Sequence, residues 1–139
     1  MELTAIALQT VEANQNVLFT DTAIGGSCSI VYRSGSGLVT LRGLTRQSRA
    51  RFRVSFGANV GLPAGATVAP IELAIEINGE PVGSAAMIST PAAVEEFNNV
   101  FSSIFVEVPS GCCLQVSVGN TGDDAIEVQN ANLIIERVA

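Results

Sequence analysis

The sequence contains no histidine, no lysine and no tryptophan, and only one tyrosine. Without histidine and lysine it has neither the commonest general base nor a Schiff-base nucleophile. Serine-rich loops such as SGSG at 34–37 therefore have no imidazole or amine to activate a hydroxyl. Three cysteines are too few, and odd in number, for a disulfide framework. Charged side chains are also scarce, at 14% of 139 residues, against about 25% in an ordinary soluble domain. So few leave an isolated monomer short of polar cover, and the usual remedy is to bury apolar surface between subunits. No apolar run approaches the ~20 residues that span a bilayer, so no membrane partner is expected. Thirteen acids against seven arginines give a net charge of −6, which repels phosphate backbones; no nucleic-acid partner is expected either. The opening MELTAIALQTV lacks the basic region and cleavage site of a secretory signal, and synthesis in a reducing cytoplasm is the expectation.

What the sequence does have is alternation. Period-two patterning and β-branched residues recur from end to end, punctuated by Gly, Pro and Asn. Strands are expected near 3–10, 16–20, 28–33, 37–43, 50–59, 70–78, 81–88, 100–108, 113–119 and 125–137. Asn78-Gly79 between two of them is the strongest hairpin signal, because a type I′ turn needs φ > 0 at both central positions. In TPAAVEEF, Thr90 is placed to cap, Pro91 to start and Glu95-Glu96 to complete a single helical turn. About ten short strands and almost no helix predict one all-β domain over 1–139, a sandwich or barrel.

Strand phase separates wet faces from covered ones. In IELAIEI, Ile71, Leu73, Ile75 and Ile77 share a face opposite Glu72 and Glu76. In RARFRVSF, Phe52, Val54 and Phe56 oppose Arg49, Arg51 and Arg53. The closing NLIIERV is apolar on both sides, with Leu133 and Ile135 on one face and Ile134 and Val138 on the other; LTAIALQ is similar. A strand apolar on both faces is covered on both faces, and in a two-layer sandwich the second cover is another subunit.

The runs GSGLVTLRG, ARFRVSFGANV, IELAIEINGEPV, VEVPSGCCLQVSVGNTG and VQNANLIIERV follow one another. Together they resemble the C-terminal head domains of bacterial collagen-like surface and spore-coat glycoproteins, and related stand-alone proteins of Firmicutes genomes and prophages. The resemblance covers roughly residues 16–139. It implies a tumour necrosis factor or complement-type jelly roll of ten strands in two sheets, trimeric about a three-fold axis. No Gly-X-Y stalk precedes the head, so the expected role is a structural part of a particle such as a phage virion, as a capsid decoration or fibre head. A glycan- or host-protein-binding adhesion module and a spore-surface head are the alternatives. The expected partners are the chain itself and other virion or surface-layer proteins, and the expected destination is a particle surface after synthesis in a bacterial cytoplasm.

The implied topology sets the Arg49–Arg53 strand between the last strand and the one carrying IFVEV, which brings Glu136 and Glu107 beside the arginines. Arginine suits such pairing because its planar fork matches a carboxylate. A cross-strand or intersubunit ion-pair ladder near the three-fold axis is expected, with an anion-binding central channel as the alternative. The expected trimer interface comprises Leu3, Ile6, Arg49, Arg51, Arg53, Glu107, Ile134, Glu136 and Val138. Arg42 and Arg46, near a turn, belong to a solvated face.

The remaining candidates read as structure. With Cys113 starting a strand, Cys112 points inward with Leu114, Val116 and Val118, and Cys113 outward with Gln115 and Ser117. Opposed thiols do not easily share a metal ion, and a buried free cysteine behaves as a small hydrophobe. Asp123-Asp124 in NTGDD offers oxygen ligands suited to calcium, but ordinary turn chemistry explains it better. No catalytic residue, metal or cofactor is expected.

Overall fold

The computed structural model describes residues 1–26, 28–43, 49–111 and 113–139; Arg46 and Cys112 lie outside them. Eleven strands are present among the described residues: β1 (Glu2–Ala5), β2 (Gln9–Val11), β3 (Asp21–Ile24), β4 (Ile30–Tyr32), β5 (Val39–Arg42), β6 (Arg49–Gly61), β7 (Ile71–Ile77), β8 (Glu80–Ser89), β9 (Asn98–Pro109), β10 (Cys113–Asn120) and β11 (Ile126–Arg137). They form two antiparallel sheets, ordered β3-β1-β11-β6-β9 with β2 also on β11, and β4-β5-β10-β7-β8. The architecture is an all-β jelly roll.

One apolar core fills the space between the sheets, because alternate residues of both point into it. Phe52, Val54 and Phe56 of β6 meet Leu73 and Ile75 of β7, Val116 and Val118 of β10, and Leu133 and Ile135 of β11; all nine are buried. Phe19 packs edge-on against Phe56, with centroids 6.3 Å apart. Asn78 and Gly79 have φ of 52° and 82° and join β7 to β8 as the two-residue I′ turn requires. Both chain ends are tied down: the Met1 ammonium donates to the Ile135 carbonyl at 2.6 Å, and the Val138 amide to the Arg51 carbonyl at 2.8 Å.

Four expectations are corrected. The segment 3–10 is not one strand but two, β1 and β2, broken at Ile6–Leu8, where the Ile6 carbonyl turns aside to accept the Asn130 amide. Residues 16–20 do not form a strand; Asn16 makes one isolated bridge to Gly119, and the strand begins later, at Asp21. TPAAVEEF is not a helical turn. Its Glu95 amide is drawn to the Leu62 carbonyl at 2.9 Å and its φ is 61°, a left-handed conformation that ends any helix. Leu3 is fully buried in the chain's own core, so its side chain is not available to a neighbouring subunit.

Candidate assembly face

β6 lies between β11 and β9 and pairs with both over most of its length. The side of this sheet turned away from the core therefore collects one stripe from each strand. From β6 come Arg49, Arg51, Arg53, Ser55, Gly57 and Asn59. From β9 come Asn99, Phe101, Ser103, Phe105 and Glu107, and from β11 come Asn132, Ile134 and Glu136.

At one end the stripes form an ion-pair ladder. Arg51 stands directly opposite Glu107 in the register, and Arg53 directly opposite Glu136. Glu107 accepts from Arg49 and Arg51, one oxygen each, both at 2.8 Å; Arg53 reaches Glu136 at 3.3 Å. The bonds to Arg51 and then Arg49 hold the Glu107 carboxyl below the ordinary carboxylate value. The Arg53 guanidinium also lies over the Phe105 ring, 5.3 Å from its centroid, at cation–π range. Each of the three arginines thus has a carboxylate of its own chain, which suits a ladder better than anion capture.

The waist of the face is apolar and wet. Phe101 is 66% exposed and Phe105 60% exposed, and Ile134 on β11 is 39% exposed. Phe101 pairs across the ladder with Gly57, and a Cβ at Gly57 would sit 3.5 Å from its ring. The hydroxyls of Ser55 and Ser103 meet between the aromatics at 2.8 Å. At the far end a carboxamide chain links Asn99, Asn59 and Asn130, and Asn132 donates to Glu2.

The expected interface residues are thus only partly together. Arg49, Arg51, Arg53, Glu107, Ile134 and Glu136 share the face. Val138 is exposed just beyond β11, held to β6 through Arg51, and Ile6 is exposed at the β1–β2 break. Leu3 is excluded, as above. Phe101 and Phe105 were not singled out from the sequence, although FSSIFVEV places Phe101, Ser103, Phe105 and Glu107 on one side. Their partners opposite, Val100, Ile104, Val106 and Val108, are equally apolar, so alternation alone did not say which aromatic side was wet. Cys113 is exposed and free, and Gln115 is exposed as expected, but Ser117 is buried beneath Glu76. Among the described residues, no group of three or more His, Cys, Asp or Glu is placed to hold a metal ion.

Neither a family model nor a curated protein sequence matches the chain. Among solved structures, the globular domain of the zebrafish complement 1qA protein is similar, with a TM-score of 0.61 at 12% identity, over 96% of this chain and 93% of that one. The fold is therefore the complement-type, tumour necrosis factor-like jelly roll. A sugar-binding protein, the EclA C-terminal domain, matches at a TM-score of 0.43 and 14% identity, over 95% and 79% of the two chains. A CBM35 domain from Cellvibrio japonicus Abf62 matches at 0.40 and 10%, over 100% and 98%.

Proposed function

We propose that this jelly roll is a non-enzymatic head that assembles as a homotrimer through the outer face of its β1–β11–β6–β9 sheet. One observation carries the reading: a sheet face whose arginines are each already paired with a carboxylate of the same chain continues into an exposed apolar waist. Phe101, Phe105 and Ile134, set around the Ser55–Ser103 pair, together leave on the order of 300 Å² of side chain wet. A second copy is the fitting occupant. The paired ladder lowers the cost of covering the arginines, since a charge with its partner in place is cheaper to desolvate than a lone one. Scarce charge over the whole chain points the same way.

The role that follows is structural or adhesive, on the surface of a particle. On the sequence resemblance the particle is a phage virion, with the trimer as a capsid decoration or fibre head. A polar groove on the opposite sheet favours a second reading, a binding module for a glycan or host protein, and assembly is compatible with both.

Hydroxyl-radical footprinting of the native chain against the unfolded chain tests the assembly. Phe101 and Phe105 are expected to be protected, while Ile88 on β8, 67% exposed in the single chain, stays reactive. Equal labelling of all three at assembly concentrations would overturn the reading. Imaging of the source particle, with antibody against this chain, decides between virion and other surfaces.

A further inference from the structure

A groove of about 490 Å³ lies on the outer side of the second sheet, between the loop around Asn14–Asn16 and the β7–β8 turn. Its volume falls within the range of ligand pockets, about 300–1,000 Å³. The floor is built around one carboxylate. Glu76 of β7 pairs directly with Ser117 of β10, and the Ser117 hydroxyl, in a residue only 2% exposed, donates to Glu76 Oε1 at 3.3 Å. Next on that face comes Gly119, where a Cβ would lie 2.6 Å from Glu76 Cδ and 2.8 Å from Oε2. Only glycine lets the carboxylate lie flat on the strand. Partial burial pushes the Glu76 carboxyl above its usual value, and the Ser117 bond opposes that shift.

The groove's remaining chemistry is carboxamide. Asn78 Oδ1 accepts the Gln115 backbone amide at 3.0 Å, and the Asn78 side chain lines the groove. The side chains of Asn14, Asn16 and Gln115 make no hydrogen bond among the described residues, and neither does Glu76 Oε2. Leu38 and Pro81 supply apolar edge. Carboxamides both donate and accept, as sugar hydroxyls do, and a carboxylate takes two adjacent hydroxyls at once. A divalent cation would want several carboxylates, and a basic peptide more than the one acid present.

We propose that this groove binds a neutral saccharide, with Glu76 accepting from neighbouring hydroxyls and the Asn14, Asn16, Asn78 and Gln115 carboxamides bonding those around it. The groove has no aromatic platform, so single-site binding is weak, and copies on one particle raise it through avidity. It lies within a single chain, on the sheet opposite the assembly face, so its test does not depend on the assembly proposed above.

The test follows side-chain amide NMR signals of the native chain during titration with cellotetraose, chitotetraose, mannotetraose and lactose. At least one sugar is expected to shift the Asn and Gln NH2 signals saturably. Glu76→Ala, and Gly119→Ala, which displaces the Glu76 head, are expected to weaken that binding about tenfold or more, as loss of a charge-assisted acceptor does. Gln115→Ala, an exposed change, gives the same direction should either variant fold poorly. If no sugar moves these signals, or if binding survives both Glu76→Ala and Gln115→Ala, the proposal is wrong. Shifts produced by calcium chloride or an arginine-rich peptide and by none of the sugars also overturn it.

Discussion

Leu133 and Ile134 are adjacent on β11 and face opposite ways, so truncating each to alanine separates the fold from its assembly. Leu133 is fully buried in the core, and Leu→Ala at such a site costs ~3 kcal/mol once the residual cavity is included. For a chain of this length that is a fall in Tm of roughly 10 °C. Ile134 is 39% exposed in the single chain, which leaves roughly 60 Å² to be covered by a neighbour, or ~1.5 kcal/mol at about 25 cal/mol per Å². In the proposed trimer three copies would lose that together, ~4.5 kcal/mol, which would weaken its formation by roughly a thousandfold. Sedimentation velocity across a dilution series reads the assembly. Urea unfolding at the most dilute point reads the chain. Leu133→Ala is expected to move the urea midpoint, and Ile134→Ala chiefly the dilution at which the large species disappears. An Ile134→Ala chain that sediments like the parent at every concentration would show that Ile134 is not covered by a neighbour, as would one that loses as much chain stability as Leu133→Ala.

Three further outcomes follow from side-chain chemistry. Asn120 is buried, donates to the Val11 and Asp124 carbonyls at 3.1 and 2.8 Å, and accepts the Gly122 amide at 3.0 Å; Asn120→Ala orphans all three and is expected to cost at least ~2 kcal/mol by urea unfolding. Glu107 titrates below its unfolded value of 4.5 because Arg51 and Arg49 bind the charged form. Its contribution is therefore present above that value and lost as pH falls through the folded one. Glu107→Gln should be less stable than the parent at neutral pH, with the gap closing in acid; a gap that is flat with pH would contradict the ladder. Tyr32, the only tyrosine, shares its one hydroxyl proton between the backbone carbonyls of Phe19 and Ser36, and burial raises its pKa above the ordinary phenol value. Phenolate absorbance should titrate later in the folded chain than in urea, and stability should fall as pH rises through that window.

The sequence disclosed more about the layers than about the surfaces. Alternation at Phe52, Val54 and Phe56 against Arg49, Arg51 and Arg53 fixed the phase of β6, and the register then placed Glu107 and Glu136 beside the arginines. Asn78-Gly79 was legible because few residue pairs tolerate two positive φ values. The Glu95 backbone was not, since only the tertiary hydrogen bond its amide donates to the Leu62 carbonyl decides it. Glu72 and Glu76 look alike in IELAIEI, each one residue out of phase with the flanking isoleucines or leucine. What distinguishes Glu76 is a serine and a glycine some forty residues away on β10, invisible until the strands are paired. The apolar outer face was half seen: Ile134 stood out in a run apolar on both sides, whereas Phe101 and Phe105 were hidden in one.

If copies of this chain meet at the wet waist of Phe101, Phe105 and Ile134, sedimentation equilibrium of the unmodified chain at micromolar concentration reads their number without any substitution. One chain weighs 14.4 kDa; three times that mass, about 43 kDa, is expected, falling on dilution or on substitution of Phe101 and Phe105 by serine. A single species of one-chain mass that remains soluble at the highest concentration would contradict it.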